Sequence, residues 1–369
     1  MYSVYLAANT AQIAILTFAV VFVVVFGVVF IAKILRWTGS AQRREIQPMH
    51  GSEGLDTDNE VWRIRGGCIY AYKGRETWCV EAPDGATAVS MTAFTRAEME
   101  KVVLPQTLEQ METMAFWHCP NLKELVFPQA FRWNEQKRYF SDCPMLQTVT
   151  YRGMRYTDFV VDDGVLLLNL VKEPNVRTPQ GLRRIASNAF TSSQVRYAQI
   201  EISEGVSEIG EQAFCAIHVE RLVLPSTLQS VAEGLFRCIS GLQQITIAGE
   251  DPADSCWIRD DVLIAAYGSV RERVVPYGVR RIGKYAFCTS GAMSSLTLPD
   301  TVQSIAPQAF GETLLFSELK IPQSVRKIGS AAFDGWESNR TLYLPKRFRA
   351  SASDKEGWRK NCKAKIRYY

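Results

Sequence analysis

The sequence predicts a β-rich repeat solenoid that follows an N-terminal membrane-spanning α-helix and ends in a short capping helix. Three observations predict it. A phenylalanine, usually preceded by alanine, recurs about every 23 residues, and a proline precedes most of these phenylalanines by about 11 residues. Two longer gaps recur within a larger period of about 96 residues. Residues 1–32 carry no charged side chain.

The recurring phenylalanines are interpreted as buried anchors, one in each coil of about 23 residues. A single coil cannot bury its apolar face alone, so neighbouring coils stack and share one long core. The anchors are Phe94, Phe116, Phe140, Phe190, Phe214, Phe236, Phe287, Phe310 and Phe333.

The larger period divides the array into three blocks, each of one β-hairpin and three coils. Hairpins are expected where β-forming runs flank Gly66-Gly67, Asp163-Gly164 and Asp260-Asp261, because such pairs favour tight turns. The solenoid is predicted over residues 61–345. Its blocks are bounded at about 61–157, 158–255 and 256–345.

Short strands are predicted just before the prolines, because alternation places Val102 and Leu104 inward and Val103 outward. Proline ends each strand, since it has no N–H to donate. The outward position two residues before each proline slot defines a candidate partner-binding column, with members roughly 4.8 Å apart. Its members are Val103, Val126, Thr150, Glu201, Val223, Thr246, Thr297, Lys320 and Tyr343. β-forming residues also fill sheet faces that bind nothing, and this alternative stays open.

Residues 1–37 are expected to hold a transmembrane helix over about 13–34. Ile13 to Ala32 is almost wholly apolar and would form a helix of about 30 Å, the thickness of a bilayer core. A cleaved signal peptide would need a basic start and a shorter apolar run. Residues 38–60 are polar and rich in turn formers, and they are predicted to form a flexible linker.

Flanking charges predict the orientation of this helix. Lys33, Arg36, Arg43 and Arg44 all follow it, and no Lys or Arg precedes it. Positive charges favour the cytoplasmic side. The charge pattern therefore places the repeats in the cytoplasm.

Residues 346–369 are predicted to form a basic C-terminal cap. Thr341 to Pro345 is interpreted as the last strand, and residues 351–366 as a short helix that covers the open core, with Trp358 as the plug. A basic segment can attract nucleic acid or anionic lipid. The chain carries only +4 overall, so a solvated cap is the preferred interpretation and no nucleic-acid partner is expected.

Motifs of catalysis, cofactor binding or metal binding are missing from the sequence. The nine cysteines fall largely at repeat positions, which favours small buried side chains over a disulfide framework. His118 and Cys119 are sequence neighbours at a repeat position, so a structural role is preferred to a nucleophile–base pair. The acidic pairs Asp162-Asp163 and Asp260-Asp261 fall in predicted turns, where aspartate is favoured. We expect no enzyme, cofactor or metal site.

The coil pattern resembles the BspA-like leucine-rich repeat. Residues 298–310 and 321–333 show it best, with Pro, Val, Ile and Ala-Phe at the same spacing in each. The hairpin near Phe159 and the ending Leu342-Tyr-Leu-Pro345 also resemble that family, so the likeness covers about 61–366. It implies a surface or adhesin-type solenoid protein without catalytic residues.

The expected function is that of a membrane-anchored, non-enzymatic solenoid that binds a protein ligand. The family resemblance places the repeats on the cell surface, in an adhesin-like role. The flanking charges favour the alternative, a cytoplasmic, membrane-tethered scaffold for protein–protein interactions. The expected partners are the membrane, through the single helix, and a protein ligand.

Overall fold

The computed structural model describes residues 55–190, 195–232, 234–237, 239–288, 290, 293–311, 313, 317–349 and 357–369. These residues fold into a β-solenoid of about 12 turns, so the predicted repeat solenoid is confirmed. Within them, the helical segments are 3-10 turns at Ala253–Ser255 and Lys346–Phe348. The predicted transmembrane helix at 13–34 lies outside the described residues, as does most of the predicted linker.

The first block opens with a hairpin and continues as two parallel sheets. Its strands are β1 Thr57–Asp58, β2 Trp62–Arg65, β3 Cys68–Tyr72, β4 Cys79–Glu81, β5 Ala88–Val89, β6 Lys101–Val103, β7 Gln110–Met111, β8 Phe116–Trp117, β9 Glu124–Val126, β10 Phe140–Ser141, β11 Thr148–Tyr151 and β12 Met154–Tyr156. The hairpin β2–β3 leads into parallel β5 and β7. Strands β4, β6, β9 and β11 form the second sheet, which antiparallel β12 closes.

The second block repeats this arrangement. Its strands are β13 Phe159–Asp162, β14 Val165–Asn169, β15 Asn175–Arg177, β16 Arg184–Ile185, β17 Arg196–Glu201, β18 Glu208–Ile209, β19 His218–Leu224, β20 Ser230–Val231 and β21 Gln244–Ile247. The hairpin β13–β14 leads into parallel β16, β18 and β20, and β15, β17, β19 and β21 form the other parallel sheet. The predicted hairpin plus coils therefore holds for this block.

The third block has the same opening and ends in an additional strand. Its strands are β22 Cys256–Arg259, β23 Val262–Ala266, β24 Glu272–Val274, β25 Arg281–Ile282, β26 Ser295–Thr297, β27 Ser304–Ile305, β28 Glu318–Lys320, β29 Lys327–Ile328, β30 Thr341–Leu344 and β31 Lys365–Tyr368. The hairpin β22–β23 leads into parallel β25, β27 and β29. Strand β24 pairs with β26, and β28, β30 and β31 form a three-stranded sheet.

The solenoid thus presents two kinds of sheet surface. The long-strand face comprises β4, β6, β9 and β11, then β15, β17, β19 and β21, then β24, β26, β28, β30 and β31. The short-strand face comprises β5, β7, β16, β18, β20, β25, β27 and β29. On a long strand the central residue points inward: Val102 is fully buried, while its neighbours Lys101 and Val103 are only partly buried. This is the period of two that a strand imposes on its side chains.

The core consists of three apolar clusters, one for each block. The nine anchor phenylalanines all lie in these clusters and none is more than 4% exposed. Neighbouring anchors stack, with ring centroids 4.6 Å apart for Phe94 and Phe116 and 5.4 Å apart for Phe310 and Phe333. Most coils turn two residues before the anchor, where the backbone takes a left-handed φ, as at Met114 and Gln308.

The prediction of a C-terminal capping helix is wrong for the described residues. Residues 357–361 form turns, and Lys365–Tyr368 forms β31, which pairs in parallel with β30. The interpretation of β30 as the last strand is wrong as well, because β31 follows it. The physical reason is the alternation in Lys-Ile-Arg-Tyr, which turns Ile366 toward the core while Lys365 and Arg367 stay exposed.

Candidate protein-binding face

Parallel pairing places the outward residues of neighbouring long strands side by side. The pairs in register are Val103–Val126, Val126–Thr150, Glu201–Val223, Val223–Thr246 and Lys320–Tyr343. Thr297 holds the same position in β26, opposite Val274 of β24. The structure therefore brings the predicted column residues onto one kind of surface, the long-strand face.

The column is divided into groups rather than continuous. Strand β12 pairs antiparallel with β11 and closes the first group after Thr150. A turn in which Ile247 and Glu250 exchange backbone hydrogen bonds closes the second group after Thr246. Both of these divisions fall at block boundaries, so each block presents its own patch of the long-strand face. Within the third block, β24 and β26 form a sheet separate from that of β28, β30 and β31.

Four members of the column were missed in the sequence. Register adds Glu81 opposite Val103, Arg177 opposite Glu201, and Val274 opposite Thr297. It also adds Arg367. Three of these four residues lie two positions before a proline, as the predicted members of the column do. The same spacing could therefore have identified them in the sequence. Arg367 has no such proline and follows from β31 alone.

The first patch combines an apolar centre with paired charges. Val103 and Val126 are both partly buried and lie side by side. Two ion pairs flank them, Lys101–Glu124 at 3.0 Å and Lys123–Glu100 at 2.7 Å. Surface pairs of this kind contribute little to stability, so their effect is to fix the charge pattern around the valines.

The third patch is more exposed, aromatic and basic. Val274 is 62% exposed and Tyr277, just beyond the same strand, is 81% exposed. The Lys320 ammonium lies 4.6 Å from the centre of the Tyr369 ring, a cation–π contact. Arg367 is exposed beside Tyr343. This end of the long-strand face therefore offers rings and positive charge to a partner.

Trp358, proposed from the sequence as the plug residue, lies at the end of the third core. It is 5% exposed, and its ring is perpendicular to that of Phe333, with centroids 6.1 Å apart. Trp336 packs against the same anchor at 5.2 Å and donates its indole N–H to the Phe310 carbonyl oxygen. A turn at 357–361 and β31 thus cover the core where a helix was expected.

The neighbouring His118 and Cys119 do not form a catalytic pair. The Cys119 thiol is fully buried and donates to the Phe94 carbonyl oxygen, whereas the His118 ring points outward and contacts the Asp142 carboxylate. Across the part of the chain that the structure describes, no group of His, Cys, Asp or Glu is arranged to hold a metal ion.

A cleft of about 500 Å³ lies beside β13, β16 and β18. Three of the four carboxylates that line it, all except that of Glu208, form ion pairs with arginines within or beside the cleft. The ion pairs are Arg152–Asp162 at 2.7 Å, Arg183–Asp163 at 3.1 Å and Arg184–Glu135 at 2.5 Å. Since three of the four carboxylates are compensated by arginines, the cleft presents no strong electrostatic attraction for an ion. The long-strand face remains the better candidate site.

The described residues contain no helix long and apolar enough to cross a bilayer. The segment proposed for that role, at 13–34, is outside the residues to which this finding applies.

The chain belongs to the BspA-type leucine-rich repeat family. The family's repeat region, described as six copies, matches residues 69–157, 169–251 and 266–354, which correspond to the three blocks. No curated protein matches the chain.

Solved structures of bacterial repeat proteins are similar to the chain. One is a leucine-rich cell surface protein from Faecalibacterium prausnitzii, at 18% identity, covering 87% of this chain and 96% of that one, with a TM-score of 0.45. A second is the pneumococcal vaccine antigen PcpA, at 15% identity, covering 79% and 82%, with a TM-score of 0.41. A third is a leucine-rich repeat protein from Eubacterium ventriosum, at 14% identity, covering 73% and 88%, with a TM-score of 0.38.

Proposed function

We propose that the chain is a protein-binding solenoid whose long-strand face docks an extended segment of a protein partner. The observation that carries the proposal is the in-register column of outward side chains on that face. Its rungs are roughly 4.8 Å apart, so an extended segment lying across the strands could contact several coils at once. Solenoids of stacked repeats bind through such extended surfaces.

The patches differ in chemistry, which makes the face selective along its length. The first offers Val103 and Val126 between paired charges, and the third offers Tyr343, Lys320 and Arg367. Aromatic and arginine side chains are the groups that most often carry binding energy at interfaces. A partner would therefore gain most of its affinity at the third patch. Contacts at the first patch would help to fix its position along the face.

Charge substitutions on the long-strand face are predicted to weaken binding without unfolding the array. The double variant Val126→Lys/Val223→Lys adds two ammonium groups that a bound segment would have to desolvate. We expect its affinity to fall about tenfold or more. Peptides selected from a displayed dodecapeptide library against the purified chain would serve as ligands, with affinity measured by fluorescence anisotropy.

The matched control places the same charges on the other surface. Gln110→Lys/Ser230→Lys adds two ammonium groups at exposed positions of β7 and β20, on the short-strand face. This control should bind like the unaltered chain, and both variants should keep its circular dichroism. Equal affinity for all three proteins would show that the first two patches do not contact the partner, which would contradict docking along the length of the long-strand face.

We propose further that the solenoid is tethered to a membrane by residues 13–34 and displayed on the cell surface in an adhesin-like role. The length and apolarity of that segment support the tether. Family membership favours display outside the cell. The alternative is a cytoplasmic, membrane-tethered scaffold, which the positive charges directly after the segment favour.

Protease access distinguishes the two locations. Intact cells expressing the chain with a C-terminal tag are treated with a membrane-impermeant protease, and permeabilised cells serve as the control. Surface display predicts that the tag disappears from intact cells. Survival of the tag until permeabilisation would contradict surface display and support the scaffold.

A further inference from the structure

Two cysteines lie at equivalent positions of neighbouring coils in the first block. Cys119 and Cys143 each follow an anchor phenylalanine by three residues. The backbone between anchor and cysteine is in parallel register, since β8 pairs with β10 and the His118 N–H donates to the Ser141 carbonyl oxygen at 2.8 Å. Equivalent residues of adjacent parallel strands are about 4.8 Å apart. That separation falls within the Cα range that a disulfide spans, roughly 4.4–6.8 Å.

Both thiols are directed toward the preceding coil, which for Cys143 is the coil that carries Cys119. The Cys119 thiol donates to the carbonyl oxygen of Phe94, in the preceding coil. The Cys143 thiol donates in the same sense to Phe116, in the coil that carries Cys119, at 3.5 Å. The Cys143 sulfur therefore lies over the coil of its potential partner, and the two thiols interact.

The two sulfurs have different roles by virtue of their burial. Cys143 is partly exposed, whereas Cys119 is fully buried. Their interaction lowers the pKa of the Cys143 thiol, and the same interaction, with burial, raises the pKa of Cys119. An external reagent thus reaches Cys143 first, and Cys143 is the better thiolate.

We propose that Cys119 and Cys143 are a reversible thiol pair that closes into a disulfide between neighbouring coils when the protein meets a small-molecule disulfide. The Cys143 thiolate attacks one sulfur of that disulfide, and the first external thiolate leaves and takes up a proton. Cys119 then loses its proton and attacks the Cys143 sulfur, which releases the second external thiolate. The two cysteines are oxidised by two electrons, and the external disulfide is reduced to two thiols.

The cross-link has a consequence for the long-strand face. It closes a loop that contains β9, and with it Val126 of the first patch. A closed loop has fewer unfolded conformations, so the oxidised form should be the more stable one. Oxidation would therefore stabilise the coil that carries Val126, independently of whether the first patch binds a partner.

The test uses the full chain, reduced and then equilibrated with mixtures of oxidised and reduced glutathione. Remaining thiols are alkylated, and the chain is digested and mapped by mass spectrometry without reduction. We expect a peptide pair joined through Cys119 and Cys143 that becomes the dominant form as the oxidised fraction rises. The oxidised chain should also show a higher melting temperature than the reduced chain.

Two variants and one control complete the test. Cys119→Ala is expected to fold, because Ala97 holds the equivalent position in the preceding coil. This variant and Cys143→Ala should both lose the joined peptide and the rise in melting temperature. Cys362→Ala, which removes a partly buried cysteine of the third block, should retain both. Alkylated Cys119 and Cys143 at every glutathione ratio, or Cys143 joined to a different cysteine, would overturn the proposal.

Discussion

Phe310→Ala is expected to lower the free energy of unfolding by about 3–5 kcal/mol, the range found when a buried aromatic side chain is truncated. Phe310 has no exposed surface and stacks between Phe287 at 4.9 Å and Phe333 at 5.4 Å. The two rings are tilted from it by only 14° and 5°. Alanine would open a cavity in the middle of this stack, and both neighbouring rings would lose a contact surface.

The measurement is urea denaturation followed by tryptophan fluorescence. Trp336 and Trp358, two of the eight tryptophans, both contact Phe333, so part of the signal reports on the block that contains the cavity. Solenoids can unfold block by block, and the transition of this block is the relevant one. Phe310→Leu, in which leucine fills most of the space, should lose much less of the free energy of unfolding. The exposed control Met145→Ala should change little, and a loss below about 1 kcal/mol for Phe310→Ala would contradict the buried ladder.

Arg273→Met is expected to lower the free energy of unfolding by about 3 kcal/mol or more. Arg273 occupies the inward position of β24, opposite Leu296, and is 2% exposed. Its guanidinium donates to four backbone carbonyl oxygens, those of Asp254, Ser255, Tyr267 and Gly268. Each buried acceptor left without a donor costs about 1–3 kcal/mol.

An opposing effect makes the sign of the change in the free energy of unfolding informative. A buried guanidinium loses its hydration, and methionine avoids that loss. Here the carbonyl groups converge on the cation from the turn before β22 and the loop after β23, so methionine would leave that junction between the second and third blocks without its donor. We therefore expect the lost hydrogen bonds to outweigh the relieved desolvation.

Thermal and urea denaturation of Arg273→Met and Arg271→Met test this directly. Arg271 lies two residues earlier, outside the strand, and its side chain is exposed. The same substitution there should shift stability by less than about 0.5 kcal/mol. A stability for Arg273→Met equal to or above that of the unaltered chain would show that the carbonyl cage does not hold the junction together.

The regular spacing of the recurring residues predicted the fold because each coil places the same residue types in the same environments. An anchor such as Phe190 or Phe287 must be buried for its coil to stack, and its spacing therefore records the length of the coil. The hairpins were equally readable, since Asp163, Asp260 and Asp261 take the left-handed φ that such turns require. Residue types at fixed repeat positions were sufficient to predict the fold wherever the structure is periodic.

Prediction failed where the chain departs from its period. The spacing between Trp358 and Ile366 is compatible with either a helix or a strand. Only the pairing with β30 selects the strand β31. Arg273 at an inward strand position contradicts the apolar pattern, and its burial depends on carbonyl groups supplied by other segments. Neither outcome follows from local propensity, because both depend on tertiary contacts.

The candidate site was predicted in part. The outward column was correctly placed in register for residues such as Val126 and Lys320. Its division into patches was not predicted, although the long intervals after Thr150 and Thr246 marked the places. The exposure of Val274 and the contact between Lys320 and Tyr369 depend on β24 and on the residue that follows β31, whose positions the repeat pattern did not indicate.

The central claim is that a partner lies along the long-strand face, and photo-crosslinking in cells tests it most directly. A benzophenone amino acid is introduced singly at Val126, Val223 and Val274, and at Gln110 and Ser230 on the short-strand face. After irradiation, adducts are detected by the mass shift of a C-terminal tag. The account predicts adducts of the same mass from long-strand positions and none from the two short-strand positions. Adducts from Gln110 and Ser230 alone, or none from any long-strand position, would contradict it.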